Sequence, residues 1–189
     1  MTRSLIQLGG QALKLDADGD TTIEVSSDDV LVVDTAGNEA LKIDASGHVT
    51  KPLQPAFYVQ KSGSQDNISN SGYDQITFDT ERFDIGSNFA SNTFTAPVTG
   101  TYHLTINMRL DNVDTGASYY NIGIQTSNRY HAQLFQPNHP SDVAYYVHTM
   151  TVVADMDVND TAFVNIFQNG GTSQTDINAS TVFCGMLIG

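Results

Sequence analysis

The sequence predicts an all-β protein in two parts, short strand repeats over residues 11–50 followed by a two-sheet sandwich over residues 56–189. Three observations carry this. Apolar Tyr102, Leu104, Ile106, Met108 and Leu110 alternate with polar Thr101, His103, Thr105, Asn107 and Arg109, the mark of a strand with one dry and one wet face. Just before them, Ala96-Pro97-Val98-Thr99-Gly100 has the proline and glycine that bar a helix and suit a turn. Residues 11–50, finally, hold no Phe, Tyr, Met or Pro and repeat one motif.

At the N-terminus, Leu5, Ile6 and Leu8 form a small apolar peg over residues 1–10, set off by Gly9-Gly10 and suited to docking into another protein. The opening MTRSLIQLGG has one positive charge and three scattered large apolar residues, which is no signal peptide, so assembly in a cytoplasm is expected. Residues 11–50 then form a β-repeat. Ala12-Leu13-Lys14-Leu15-Asp16-Ala17-Asp18-Gly19 returns as Ala40-Leu41-Lys42-Ile43-Asp44-Ala45-Ser46-Gly47, and Val30 to Gly37 is a third copy. Each copy is a short apolar strand, an Asp, two small or polar residues and a turn glycine. With two or three aliphatic side chains per strand, such a unit must bury them against neighbours or other chains.

Lys51-Pro52-Leu53-Gln54-Pro55 is a stiff connection over residues 51–55. Beyond it, Ala56 to Lys61, Tyr119 to Gln125, Val143 to Val153, Thr161 to Gln168 and Thr181 to Ile188 read as strands. Loops rich in Ser, Asn and Gly separate them. Several of these strands are apolar on both faces, which suits a sandwich that also meets partner subunits.

Charge and motif narrow the function. With 8 basic against 21 acidic residues the chain has net charge −13, which repels nucleic acid and anionic membranes. No stretch of 18 apolar residues is present for membrane insertion. The single Cys184 excludes an intrachain disulfide and is expected to be buried and inert. His48, His103, His131, His139 and His148 show no ligand spacing, and neither a nucleophile elbow nor a phosphate-cradling loop occurs. No catalytic residue, cofactor or metal ligand is therefore assigned. Asp16-Ala17-Asp18-Gly19-Asp20 invites a calcium reading, but Thr21 stands where the loop needs its glycine and Ser27 where it needs a bidentate Glu. A solvated turn is expected there and at Asp155 to Asp160, with calcium as the alternative. Candidates for surface binding are Tyr119, Tyr120, Arg129, Tyr130, His131, Tyr145 and Tyr146, since Tyr with Arg or His recognises sugars and protein surfaces.

The order Phe78, Asp84, Phe89, Phe94, Gly100-Thr101-Tyr102-His103-Leu104-Thr105-Ile106 resembles the globular head of the first complement component and its tumour-necrosis-factor-like relatives. The gap from Phe89 to Phe94 is two residues shorter than in that family, and Leu104 and Ile106 replace aromatics. Ser180 to Ile188 looks like the family's closing strand, and Asp160 matches the Asp of its Gly-Asp turn. The resemblance covers about residues 55–189 and implies a jelly roll. Residues 11–50 resemble the shaft repeats of bacteriophage fibres, in which three chains wrap together. The expectation is a homotrimer: a β-repeat stalk with a jelly-roll head, acting as a structural virion protein of a bacteriophage. As a fibre, spike or capsid decoration it would meet other virion proteins through its N-terminus and turn its head toward a host-surface glycan or protein. A free lectin-like or adhesin trimer is the alternative reading, and a polysaccharide-acting enzyme the third.

Overall fold

Alternation decides the architecture, because a strand that is wet on one face and dry on the other must lay the dry face against something. The computed structural model describes residues 11–189, so the peg residues Leu5, Ile6 and Leu8 lie outside the described residues. The chain divides into two units, Met1–Gln54 and Pro55–Gly189. Every regular element among the described residues is a β-strand.

In the first unit β1 (Leu13–Lys14), β2 (Thr22–Ser27), β3 (Val30–Thr35), β4 (Asn38–Ile43) and β5 (Val49–Thr50) form an antiparallel meander in chain order. The repeated glycines close turns: Gly19, Gly37 and Gly47 have φ of +78°, +71° and +83°, where a side chain is strained. Two of the three repeated aspartates cap their turns, while Asp34 accepts from the Thr22 hydroxyl at 3.0 Å. Asp16 Oδ1 accepts from the Gly19 amide at 2.9 Å, and Asp44 Oδ1 from the Ser46 and His48 amides at 2.9 Å each. Register then sorts the side chains. Leu13, Ile23, Val33 and Leu41 pair in one row and Val25, Leu31, Ile43 and Val49 in the next. Since residues two apart share a face, all eight aliphatics lie on one side. None of them is buried, and Val25 and Val49 are 57% and 56% exposed.

The second unit is a sandwich of two antiparallel sheets. One has the order β14 (Val143–Met156), β11 (Gly100–Val113), β17 (Val182–Leu187), β6 (Ala56–Gln60), β8 (Thr80–Ile85), with β16 (Asp176–Ile177) also on β11. The other has β13 (Tyr130–Phe135), β12 (Tyr119–Thr126), β15 (Thr161–Asn169), β10 (Thr93–Thr95), β9 (Phe89–Ala90), with β7 (Tyr73–Gln75) on β15. The alternating stretch is the middle of β11, and Tyr102, Leu104, Ile106, Met108 and Leu110 are all wholly buried. β13 is a strand beyond those the sequence announces; it lies at a sheet edge, where pairing on one side only leaves a weak pattern.

Between the sheets the phenylalanines of the family motif converge. Phe57 stacks on Phe94 at 4.7 Å and Phe89 at 5.3 Å and meets Phe183 edge-on at 5.0 Å, with Phe78 6.0 Å from Phe183. The other motif residues hold this cluster in place. Asp84 accepts from the Asn88 and Phe89 amides at 3.0 and 2.7 Å, and the Tyr102 hydroxyl donates to the Val98 carbonyl at 2.7 Å, tying the proline turn to β11. Gly185 is needed for space: a Cβ there would lie 2.6 Å from Leu104 and 2.7 Å from Phe57. Its neighbour Cys184 corrects an expectation. It pairs with Tyr58 and Thr105 on the outward face of its sheet, opposite to buried Phe183, so it is half-buried rather than in the core. Burial still pushes its thiol pKa up.

Two outcomes follow from this packing. Tyr102→Ala and Phe183→Ala should each cost about 3–5 kcal/mol in denaturant unfolding, as large-to-small core changes; unchanged midpoints would contradict the core described. His148 stacks 5.9 Å from Phe135 with its Nε2 buried and without a hydrogen-bond partner, and burial holds its pKa below the ordinary 6.5. The folded protein therefore takes up this proton later than the unfolded chain. Its stability contribution is whole above about pH 6.5 and is lost as pH falls from there through the depressed folded value. His148→Leu should flatten the melting temperature over that window relative to the native protein.

Candidate functional site

Strand period places the seven candidate residues on different surfaces. Tyr120 is not a surface residue: it is wholly buried, stacks on Phe135 at 5.0 Å, and its hydroxyl bonds Thr175 Oγ1 at 2.7 Å and receives the Asp114 amide at 3.0 Å. Burial pushes its pKa up. Tyr146 is half-buried against Phe135 at 4.5 Å, and His131 pairs with inward-facing Ile124, which sets both on the core side. Tyr145 is 68% exposed on the other sheet, with the Arg109 guanidinium 4.6 Å from its ring. Arg129 pairs with Asp155 at 3.0 Å. Only Tyr119 and Tyr130 share an outward face.

That face is built by four adjacent strands. Register sets Tyr119, Asn121, Gly123 and Gln125 of β12 beside Tyr130, Ala132 and Leu134 of β13 on one side and Phe163, Asn165 and Phe167 of β15 on the other. Beyond β15, Tyr73 faces Phe167 and Gln75 faces Asn165. None of these twelve residues is charged. Tyr73 meets Tyr130 edge-on at 5.9 Å and Phe167 at 5.0 Å, and Asn121 Nδ2 donates to its hydroxyl at 3.4 Å. The Tyr130 hydroxyl donates to Asn165 Oδ1 at 3.0 Å. Burial, then the neighbouring Tyr73, push the Tyr130 pKa up, which keeps that proton in place. Gly123 makes the arrangement possible, since a Cβ there would lie 2.1 Å from Tyr130 Cε2, inside the ring's own space. Tyr73, Gln75, Gln125, Tyr130, Phe163 and Asn165 line a depression of about 380 Å³.

Tyr73, Phe163, Asn165 and Gln125 were outside the sequence candidates. A signal for one of them exists: Phe163, together with Phe167, interrupts the polar phase of a strand whose other phase, Ala162, Val164 and Ile166, is wholly buried. A strand apolar on both faces has a second partner to meet.

The acidic groups are occupied locally. A cleft of about 610 Å³ is lined by Asp66, Asp142, Asp176, Asn112 and Gln174 among others. Asp142 accepts from the Thr115 amide at 2.9 Å and Gln174 Nε2 at 2.8 Å, bonds that hold its pKa down, and Asp176 accepts from the Asn67 amide and Asn112 Nδ2, both at 2.8 Å. Asp160 receives the Asp157 amide at 2.8 Å and Asn128 Nδ2 at 2.7 Å. In the first unit Asp16, Asp18 and Asp20 bring one carboxylate oxygen each within 4.8 Å of one another. Asp16 is held down to about 2 by hydrogen bonding to the Thr21 side chain and then to the backbone, so its charge serves the turn.

Comparison with known proteins agrees with this geometry. The family model described as the C1q domain matches residues 56–188, and the match does not extend to residues 11–50. Among solved structures, the globular domain of zebrafish complement 1qA protein is similar at TM-score 0.53 and 17% identity, over 72% of this chain and 98% of that one. Murine APRIL is similar at TM-score 0.51 and 11% identity, over 71% of this chain and 99% of that one. At such identities the likeness establishes the fold, an all-β jelly roll, and nothing further. No curated protein matches the sequence. By the match over most of its length, the chain belongs to the C1q domain family.

Proposed function

We propose that this protein is a structural, non-enzymatic component of a bacteriophage particle: a short homotrimeric spike, fibre or capsid decoration with an N-terminal β-repeat stalk and an outward C1q-type head. The observation that carries the reading is the uncovered aliphatic face of the first unit. Five of its eight side chains, Leu13, Ile23, Val25, Leu31 and Val49, are 36–57% exposed, on one continuous face of the sheet. Five strands at about 4.8 Å spacing make a sheet about 20 Å across. Three such sheets closed as a triangular prism stand roughly 6 Å from the axis, near half the ~10 Å at which stacked sheets interdigitate.

The head supports the same assembly. Phe83, Tyr145, Val147, Val153 and Met186, on the outward face of the β14-β11-β17-β6-β8 sheet, are 48–68% exposed, and domains of this kind typically form homotrimers. The peg Leu5, Ile6 and Leu8 is assigned to particle attachment on its sequence alone. A second reading, a free trimeric lectin-like module, draws on the aromatic depression of the head. Neither reading requires a cofactor.

Sedimentation at micromolar concentration should give a trimer, and Val25→Asp with Leu31→Asp should weaken or open it while the head stays folded. A stable monomeric native chain would contradict the assembly. Deleting residues 1–10 should leave a folded trimer that is absent from purified particles. Truncated protein at normal copy number would place the anchor elsewhere, and a native trimer absent from particles would favour the free module.

A further inference from the structure

We infer that the depression between Tyr73, Tyr130, Phe163, Gln125 and Asn165 is a binding site for an uncharged oligosaccharide. The inference rests on reading the head as outward-facing and gives that head a ligand class.

Three properties of the site select this chemistry. The first is aromatic surface presented to solvent: Tyr73 is 56% and Tyr130 36% exposed, set edge to face, with Phe163 half-buried beside them. Flat rings of this kind pack against the C–H faces of a pyranose, and tyrosine offers that area at low entropic cost. The second is amide capacity. Asn165 spends its Oδ1 on the Tyr130 hydroxyl, and its Nδ2 has no partner among the described residues. Gln125 spends its Nε2 on the Thr126 and Arg129 carbonyls at 2.8 and 3.3 Å, which leaves Oε1 as an acceptor. One donor and one acceptor on neighbouring strands match a pair of adjacent sugar hydroxyls, each of which both donates and accepts. The third is the absence of charge. No lining residue is ionised, on a chain of net charge −13, so sialylated or sulfated glycans gain no counter-charge here and meet a repulsive field.

Volume and position agree. About 380 Å³ lies within the range of small-molecule pockets and holds roughly two sugar rings. The depression lies on the sheet opposite to the one with the exposed Phe83, Val147, Val153 and Met186, so a trimer closed through that second sheet leaves it open. Shielding of a sheet glycine by an aromatic is a known stabilising device and accounts for Tyr130 over Gly123. It does not account for an exposed Tyr73, for Phe163 in the outward phase of β15, or for a nearly buried Asn165 with an unspent donor. These three are what a ligand would use.

The test is binding of neutral hexasaccharides of glucose, mannose, galactose and N-acetylglucosamine, beside sialylated and sulfated oligosaccharides, to the full chain by calorimetry. The chain has no Trp, so tyrosine emission, to which Tyr73 and Tyr130 contribute two of eight rings, gives a second readout whose site share is the part lost in Tyr73→Ala. At least one neutral sugar should bind, with affinity lowered about tenfold or more by Tyr73→Ala and by Phe163→Ala. Tyr145→Ala, on the other sheet, should bind as the native chain does. Tyr73→Ala removes a half-exposed ring outside the core and should keep a single cooperative melt well above the assay temperature, which separates lost binding from lost fold. Failure of all neutral sugars to bind, preference for the charged ones, or undiminished binding by Tyr73→Ala and Phe163→Ala would overturn the inference. The trimer and the particle copy number are measured independently, so they stand or fall separately.

Discussion

The packing of Phe57 against Phe94, Phe89 and Phe183 is the interaction on which the second unit depends. It joins β6 and β17 of one sheet to β9 and β10 of the other. The surrounding motif residues serve that contact. Asp84 caps the turn that delivers Phe89, the Tyr102 hydroxyl fixes the turn that enters β11, and Gly185 yields the space into which Phe57 and Leu104 press. A family signature that looks like scattered aromatics is, in space, one cluster and its supports.

With the inner faces committed, the outer faces are free to differ, because side chains of a strand alternate strictly. One outer face has exposed aliphatic and aromatic residues around Val147, Val153, Phe83 and Met186. The other is built of rings and amides without a charge, centred on Tyr73, Tyr130 and Asn165. The first has the character of a contact between copies and the second that of a small-molecule site. A single scaffold thus keeps the two kinds of surface on separate sheets.

The first unit has the same alternation but no second sheet of its own. Its eight aliphatics face one way, and the turn-capping aspartates, with Thr22 and Asp34 bonded at 3.0 Å, hold the meander in shape without giving it a core. Part of the acidic excess of the chain is spent in this manner, as at Asp16, Asp44 and Asp84, whose carboxylates accept amides of their own turns. Among the described residues of this unit nothing covers the aliphatic face.

Strand period, turn chemistry and the family motif were legible in the residues themselves, since each is local: alternation around Tyr102, glycines at left-handed turns, prolines at the connection, and the order from Phe78 to Ile106. The all-β jelly roll follows from them. The candidate site was not legible, because it is assembled across β7, β12, β13 and β15 from residues whose separation in sequence bears no relation to their separation in space. Tyrosine content pointed to Tyr119 and Tyr130, which lie on the outward face, and to Tyr120 beside them, which is buried because one residue of shift reverses the face. Phe163 and Asn165 join the site only because β15 lies between β12 and β7, and Tyr130 lies over β12 only because position 123 lacks a side chain. Composition and period determine which faces a strand has; sheet order alone decides which faces become neighbours.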